Sequence, residues 1–123
     1  MGSFNKHAGL TWDSLEWGTQ ATLSSPLTAD SKDLMVLDVV IYPGMGHSFH
    51  RHPRQEEVIY VLQGEVEQWI EGEKQLLTPG DSAFIGKGQV HASFNRGKGN
   101  SRILAILGPC IGEQGYEIEE VEV

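Results

Sequence analysis

The sequence is poor in cysteine, in basic residues and in long apolar runs. Its one cysteine, Cys110, excludes an intrachain disulfide, which fits a reducing compartment. Nine lysine and arginine residues stand against 17 aspartate and glutamate residues, and the net charge of −8 argues against binding of nucleic acid or anionic membranes. No run approaches transmembrane length, and the N-terminus has no apolar signal core. These absences predict a soluble, cytoplasmic protein.

The sequence also lacks any long stretch with a helical period and good caps. It contains short runs rich in β-branched and aromatic residues that are closed by glycine and proline turns. This pattern is typical of an all-β sandwich or barrel. The predicted strands cover residues 34–42, 48–52, 57–62, 65–70, 74–77, 82–85, 91–95, 102–107 and 117–123.

A histidine-rich segment follows the first predicted strand, with His47, His50 and His52 within six residues. Residues two apart on a strand point to the same face, so His50 and His52 share a face. Two imidazoles on one face are the start of a metal site, because histidine is the commonest metal ligand. His47 lies an odd number of residues from both, so a regular strand turns it away and we expect it at the surface.

The next predicted strand opens with two adjacent glutamates, Glu56 and Glu57. They point to opposite faces of the strand, so only one of them faces inward. If Glu57 faces inward, so do Ile59 and Val61. A turn at the preceding proline then brings Glu57 across from the histidine pair. His91, in a later predicted strand, adds a fourth possible ligand.

The spacings of these residues resemble the two signature motifs of the cupin superfamily. The first motif has glycine, His-x-His, glutamate and glycine at fixed spacings, which this sequence meets at Gly44, His50, His52, Glu57 and Gly64. The second is met at Gly80, Gly88, His91 and Asn95, with Gly86 where the family has proline. Loss of that proline loosens a turn and removes no ligand. The two motifs span roughly the middle half of the chain.

The resemblance implies an all-β fold, the double-stranded β-helix or jelly-roll barrel of the cupins. We expect residues 1–123 to form a single cupin domain. Within it, residues 1–33 would supply N-terminal strands or an arm, residues 34–108 the conserved barrel, and residues 109–123 a C-terminal strand.

The resemblance also implies that His50, His52, Glu57 and His91 bind one divalent transition metal. Three neutral imidazoles and one carboxylate suit Fe, Mn, Ni, Zn, Co or Cu, and this ligand set does not choose among them. One or two positions on the ion would stay free for water or substrate. The alternative is a hydrogen-bonded polar cluster without metal.

Fold does not imply function, so the reaction stays open. Small cupins include dioxygenases, isomerases, lyases and proteins that only bind a ligand. We expect a small metalloenzyme of one of these types, acting on an oxygen-bearing small molecule coordinated to the metal. The alternative is a non-catalytic cupin that binds a sugar or organic acid.

Two further expectations concern single residues and assembly. Gln68 is the candidate catalytic residue beyond the ligands, because it takes a barrel-lining position where an apolar residue is ordinary. It could reach the substrate or a metal-bound water, although a core amide satisfied by water fits equally well. Small cupins commonly pair through sheet edges, so the resemblance implies a homodimer, with Trp12, Trp17 and the C-terminal strand as candidates for its surface.

Overall fold

The alternating runs of the sequence form two antiparallel β-sheets. The computed structural model describes residues 2–123. Its strands are β1 (Trp12–Ser14), β2 (Gly18–Ser24), β3 (Met35–Ile41), β4 (Gly46–Arg51), β5 (Glu56–Gln63), β6 (Val66–Ile70), β7 (Glu73–Leu77), β8 (Ser82–Ile85), β9 (His91–Phe94), β10 (Ser101–Gly108) and β11 (Glu119–Glu120). The predicted strands of the barrel are thus confirmed to within two residues at each end.

The strands are shared between a six-stranded and a five-stranded sheet. The larger sheet has the order β1-β2-β3-β10-β5-β8, and the smaller has the order β11-β4-β9-β6-β7. Strands that follow each other along the chain, such as β3 and β4 or β4 and β5, therefore lie in different sheets. The inner faces of the two sheets enclose one core, which is the jelly-roll arrangement that the motifs implied.

The core follows from the period of two along each strand. In β10, buried and half-buried residues alternate without a break from Ser101 to Gly108. The same alternation in β5 buries Ile59 and Val61. The inward side chains join one apolar cluster of Met35, Leu37, Val39, Ile41, Ile59, Val61, Val66, Ile85, Ile103, Ala105 and Leu107.

The first part of the chain extends the larger sheet. Strand β2 pairs with β3, and β1 adds the edge. One short helix, α1 (Pro26–Ala29), follows, and Ser25 caps it by accepting a hydrogen bond from the Thr28 amide. A 3₁₀ turn covers His7–Gly9. Among residues 2–123, no helix is long and apolar enough to span a membrane.

The C-terminal strand is shorter than predicted. Only Glu119 and Glu120 pair with β4, although the Val121 amide also donates to the Phe49 carbonyl. The chain after β10 first turns back on itself through a bridge between Ile111 and Gly115. It then runs beside the edge of β4 over these few residues only.

Asn95, the last residue of the second motif, ties three segments together from a fully buried position. Its Nδ2 donates to the Ile41 carbonyl at 2.9 Å and to the Gly99 carbonyl at 2.8 Å, while its Oδ1 accepts from the Gly97 amide at 2.9 Å. The side chain thus satisfies three backbone groups near one end of the barrel. Its role is structural, since these bonds use most of what an amide offers.

We expect Asn95→Ala to lower the free energy of unfolding by about 2–4 kcal/mol, because it leaves buried backbone groups without partners. Urea denaturation of the full chain measures this. Asn100→Ala, in the exposed loop beside it, is the control and should change the value by less than about 0.5 kcal/mol. Equal effects of the two substitutions would contradict the assigned role of Asn95.

Candidate metal centre

The four residues that the motifs single out meet inside the barrel. His50 on β4 and His91 on β9 are direct partners in the smaller sheet, and His52 follows the end of β4. Glu57 comes from β5 in the larger sheet. All four residues are buried, none more than 5% exposed. One ring nitrogen from each of the three histidines lies within 4.8 Å of those of the other two.

The orientation of Glu57 agrees with the strand period. Glu57, Ile59 and Val61 are buried, whereas Glu56 is exposed. The inward-facing carboxylate is therefore the one that the spacing of the first motif selects.

Each of the three histidines is held by a backbone carbonyl at Nδ1. The His50 Nδ1 lies 2.6 Å from the Ser48 oxygen, and the His91 Nδ1 lies 2.9 Å from the Gln89 oxygen. The His52 Nδ1 lies 2.7 Å from the Glu117 oxygen. A carbonyl oxygen only accepts, so each Nδ1 carries the proton and donates. In a neutral ring the lone pair is then on Nε2, the arrangement that metal-binding histidines adopt.

The carboxylate of Glu57 approaches two of these Nε2 atoms closely. Its Oε1 is 3.0 Å from His91 Nε2 and 3.3 Å from His52 Nε2. Yet Glu57 Oε1 and His91 Nε2 are buried atoms without a hydrogen-bond partner. Lone pairs would face each other across these gaps unless a cation, either a proton or a metal ion, lies between them. The site therefore fits a cation in a place that water does not reach.

The pKa values of the residues in this centre also favour a cation beside Glu57. Burial, aided by His47 and His91, lowers the pKa of His50 to about 3, so this imidazole is neutral at physiological pH. Burial alone would raise the pKa of Glu57, but its contacts with His52 and His91 outweigh burial and lower that pKa to about 2. Burial likewise opposes a charge on His52, but the contact with Glu57 prevails and raises its pKa. The centre thus has an ionised carboxylate that needs a positive partner.

His47 does not lie at the surface as the strand period predicted. Its ring stacks on His50 with centroids 3.8 Å apart, and Trp17 stacks on it at 5.1 Å. The prediction was wrong because β4 is not regular: its register against β9 shifts between His47 and His50. A bulge of this kind changes which face a residue takes.

The centre opens into a cavity of about 60 Å³. On one side are the histidines of the smaller sheet. Opposite them lies an apolar wall from the larger sheet, made of Leu37, Val39, Ile41, Ile59, Ile103, Ala105 and Leu107. Five further side chains complete the lining: Trp17, Gln20, His47, Ser93 and Tyr116.

Gln68 does not line this cavity but contacts Ser93, which does. Its Oε1 accepts a hydrogen bond of 2.6 Å from Ser93, which does line the cavity, and its Nε2 donates to the Trp69 carbonyl. Gln68 itself borders a second cavity, between β6, β7 and β8. Any effect of Gln68 on a ligand at the histidines would therefore pass through the Ser93 hydroxyl.

The C-terminal segment, residues 109–120, completes the centre from outside the barrel. Gln55, which is 1% exposed, donates to the carbonyls of Pro109 at 2.7 Å and Gly115 at 2.9 Å. Its Oε1 accepts from the Glu117 amide at 3.1 Å. The carbonyl of Glu117 is in turn the partner of His52. Gln55 therefore fixes the segment that orients one of the histidines.

Sequence reasoning missed Gln55 and Tyr116. Gln55 carried a weak signal, a polar residue between His52 and Glu57, but glutamine in a turn is usually exposed. Tyr116 carried none, because its place in the cavity depends on the path of the C-terminal segment across the barrel.

The turn before His91 is closed in a way that the missing proline would not allow. The Gly86 amide donates to Gln89 Oε1 at 2.7 Å, and proline has no amide hydrogen. The carbonyl of the same Gln89 accepts from His91. A hydrogen bond from the Gly86 amide thus takes the place of a rigid proline ring, and it fixes Gln89, whose carbonyl orients the His91 ring.

Comparison with known proteins gives the same family as the motifs. The Cupin domain family matches residues 37–107. An uncharacterized protein of Aquifex aeolicus is 43% identical over 71 residues, which are 57% of this chain and 58% of that protein. The pectin degradation protein KdgF of Dickeya dadantii is 33% identical over 70 residues, 57% of this chain and 64% of that protein. The matches span about three fifths of the length of these relatives.

A solved structure extends the likeness to most of the fold. The KdgF structure from Halomonas sp. superposes with a TM-score of 0.81 at 26% identity, and the match covers 91% of this chain and 97% of that chain. The family match covers the strands that carry His50, Glu57 and His91, and the structural match covers the barrel around them. This chain belongs to the cupin domain family.

Proposed function

We propose that this protein is a metal-dependent enzyme that acts on a small, oxygen-bearing molecule in the cavity beside His50, His52, Glu57 and His91. These four side chains would hold one divalent ion. The observation that carries the proposal is the pair of buried, unpartnered atoms, Glu57 Oε1 and His91 Nε2, which face each other at 3.0 Å. Buried polar atoms without partners are rare and call for an explanation.

The backbone contacts of the histidines support a metal over a permanent polar cluster. Three Nδ1 atoms on three carbonyls leave the Nε2 atoms to face inward, and the pKa of about 3 keeps the His50 ring neutral, with a lone pair on its Nε2. A proton shared between Glu57 and His52 would satisfy that pair alone and would leave the His50 lone pair without a partner. Nitrogen and oxygen donors of this kind suit Fe, Mn, Co, Ni, Cu or Zn.

A divalent ion in this place supplies Lewis acidity toward an oxygen of the substrate. The chain's own residues do the rest. The histidine rings are fixed by their carbonyl partners, the apolar wall excludes water from the reacting groups, and Tyr116 and Gln20 offer polar groups at the cavity lining. The reaction would be of the dioxygenase, isomerase or lyase type.

Relatives bear on the choice between catalysis and mere binding. The Dickeya dadantii relative takes part in pectin degradation, as its name says, which favours turnover of a small molecule. A non-catalytic module that binds a sugar or organic acid remains the competing function. Saturating the metal-loaded chain with a panel of small organic acids, diketones and sugars separates the two, since an enzyme gives products and a module gives only thermal shifts.

We expect the protein, purified without chelators or an immobilised-metal column, to carry about one equivalent of a transition metal by elemental analysis. His91→Ala should reduce metal affinity at least about tenfold, because it removes one ligand of the set. His7→Ala, at an exposed histidine, is the matched control and should keep full occupancy. Full metal content in His91→Ala would remove the proposed site.

We also propose that Gln55 positions His52 through the C-terminal segment. Gln55→Leu keeps the approximate volume but removes three hydrogen bonds, so metal affinity should fall about 10–100-fold, as for other residues that orient a ligand. Competition with a chelating dye measures this. The Co²⁺ absorption spectrum should change with it, which a loss of stability alone would not cause.

Gln114→Leu is the control, since Gln114 is exposed on the same segment. It should leave both the affinity and the Co²⁺ spectrum unchanged. A Gln55→Leu protein that is less stable but binds metal as the unaltered chain does would reduce Gln55 to a purely structural role.

A homodimer and a cytoplasmic location stay predictions. Trp17 now belongs to the cavity, so it is a poor candidate for a dimer surface. The outer face of the larger sheet is a better candidate, because it exposes Tyr60, Leu62 and Phe84, the last at 59%.

We expect sedimentation equilibrium at micromolar concentration to give twice the mass of the chain, and Phe84→Glu to weaken the association. A clean monomer would exclude the dimer.

A further inference from the structure

The lining of the cavity has two chemically different halves. The donor side carries the histidines and Glu57, and the apolar wall opposite carries aliphatic side chains only, from β3, β5 and β10. In β10, three consecutive inward positions, Ile103, Ala105 and Leu107, contribute to the wall.

Cations are absent from this lining. Among the described residues that line the cavity, none is lysine or arginine. Outside the lining, Glu120 Oε1 lies 3.9 Å from the Nε2 of His47, which stacks on His50. An anionic group at the apolar wall would therefore meet carbon and no lysine or arginine.

Hydrogen-bond donors lie beside the apolar wall and not within it. Gln20, whose strand pairs it with Val39 of the wall, and Tyr116 line the cavity, whereas Ser93 spends its hydroxyl proton on Gln68 and the apolar wall has no polar side-chain atom. A molecule with several hydroxyl groups would have to give up its water against this wall. Such desolvation without compensation costs about 1–3 kcal/mol for each group.

We infer that the substrate is a compact molecule with an oxygen-bearing head that binds the metal and a short aliphatic tail that packs on the apolar wall. This inference rests on the proposed function and names its substrate class. It sets aside molecules with a second carboxylate, because the lining has no lysine or arginine. Burial of the tail against the aliphatic side chains adds to the binding energy of the metal-bound head.

The test compares three hydroxamates that share one metal-binding head. Acetohydroxamate has a methyl tail, butanohydroxamate adds two methylene groups, and succinate monohydroxamate replaces the terminal methyl of the second by a carboxylate. Each is titrated into the full chain loaded with Co²⁺, and the change of the Co²⁺ absorption band gives the Kd. The head is constant, so differences report on the wall.

Butanohydroxamate should bind about tenfold tighter than acetohydroxamate, because two methylene groups leave water. It should also bind at least about tenfold tighter than succinate monohydroxamate, whose carboxylate finds no positively charged partner. Ile103→Thr places a hydroxyl in the wall and should reduce both preferences to about threefold. Leu104→Thr, at the next residue of β10 on the outer face, should leave them unchanged.

The outcomes separate this inference from the proposal beneath it. Equal or tighter binding of succinate monohydroxamate, or three Kd values within about twofold, would overturn the substrate class and leave the metal centre standing. A Co²⁺ band that none of the three ligands alters would also overturn it. Absence of any bound Co²⁺ would overturn the proposed function and this inference with it.

Discussion

The buried carboxylate of Glu57 is the constraint on which the centre depends. An ionised group cut off from water is stable only beside a positive charge, and here the neighbours are imidazoles whose other nitrogens are committed to the backbone. A fold that left this carboxylate ionised without a cation beside it would therefore be less stable. Everything that positions the histidines, from the β4–β9 pairing to the C-terminal segment, serves the same electrostatic requirement.

The two sheets supply different parts of the chemistry. The smaller sheet and its continuation past β4 bring three imidazoles, and the larger sheet brings one carboxylate and the apolar wall. This division explains how a small domain combines a charged centre with an apolar wall. The imidazoles are concentrated on the smaller sheet, so most of the opposing face can pack as ordinary core and still border the cavity.

Much of this was predictable from the sequence, because the relevant rules are local. The strand period put Glu57 on one face with Ile59 and Val61, and the spacing of the motifs selected Glu57 and the histidines that meet it. His47 escaped the same rule because a bulge is a property of the pairing with β9, which the sequence of β4 alone does not reveal. Gln55 and Tyr116 escaped it because their contacts join residues about 60 positions apart in the chain.

The placement of donors on both sheets has a mechanical consequence. The gap between Glu57 and His91 is also the gap between the sheets, so a change in sheet separation moves the carboxylate relative to the imidazoles. The distance between the carboxylate and the imidazoles, and with it the strength of metal binding between them, would then depend on how far the core expands with temperature. An ion held between the two sheets, as we propose, would therefore be bound less tightly on warming while every strand was still paired.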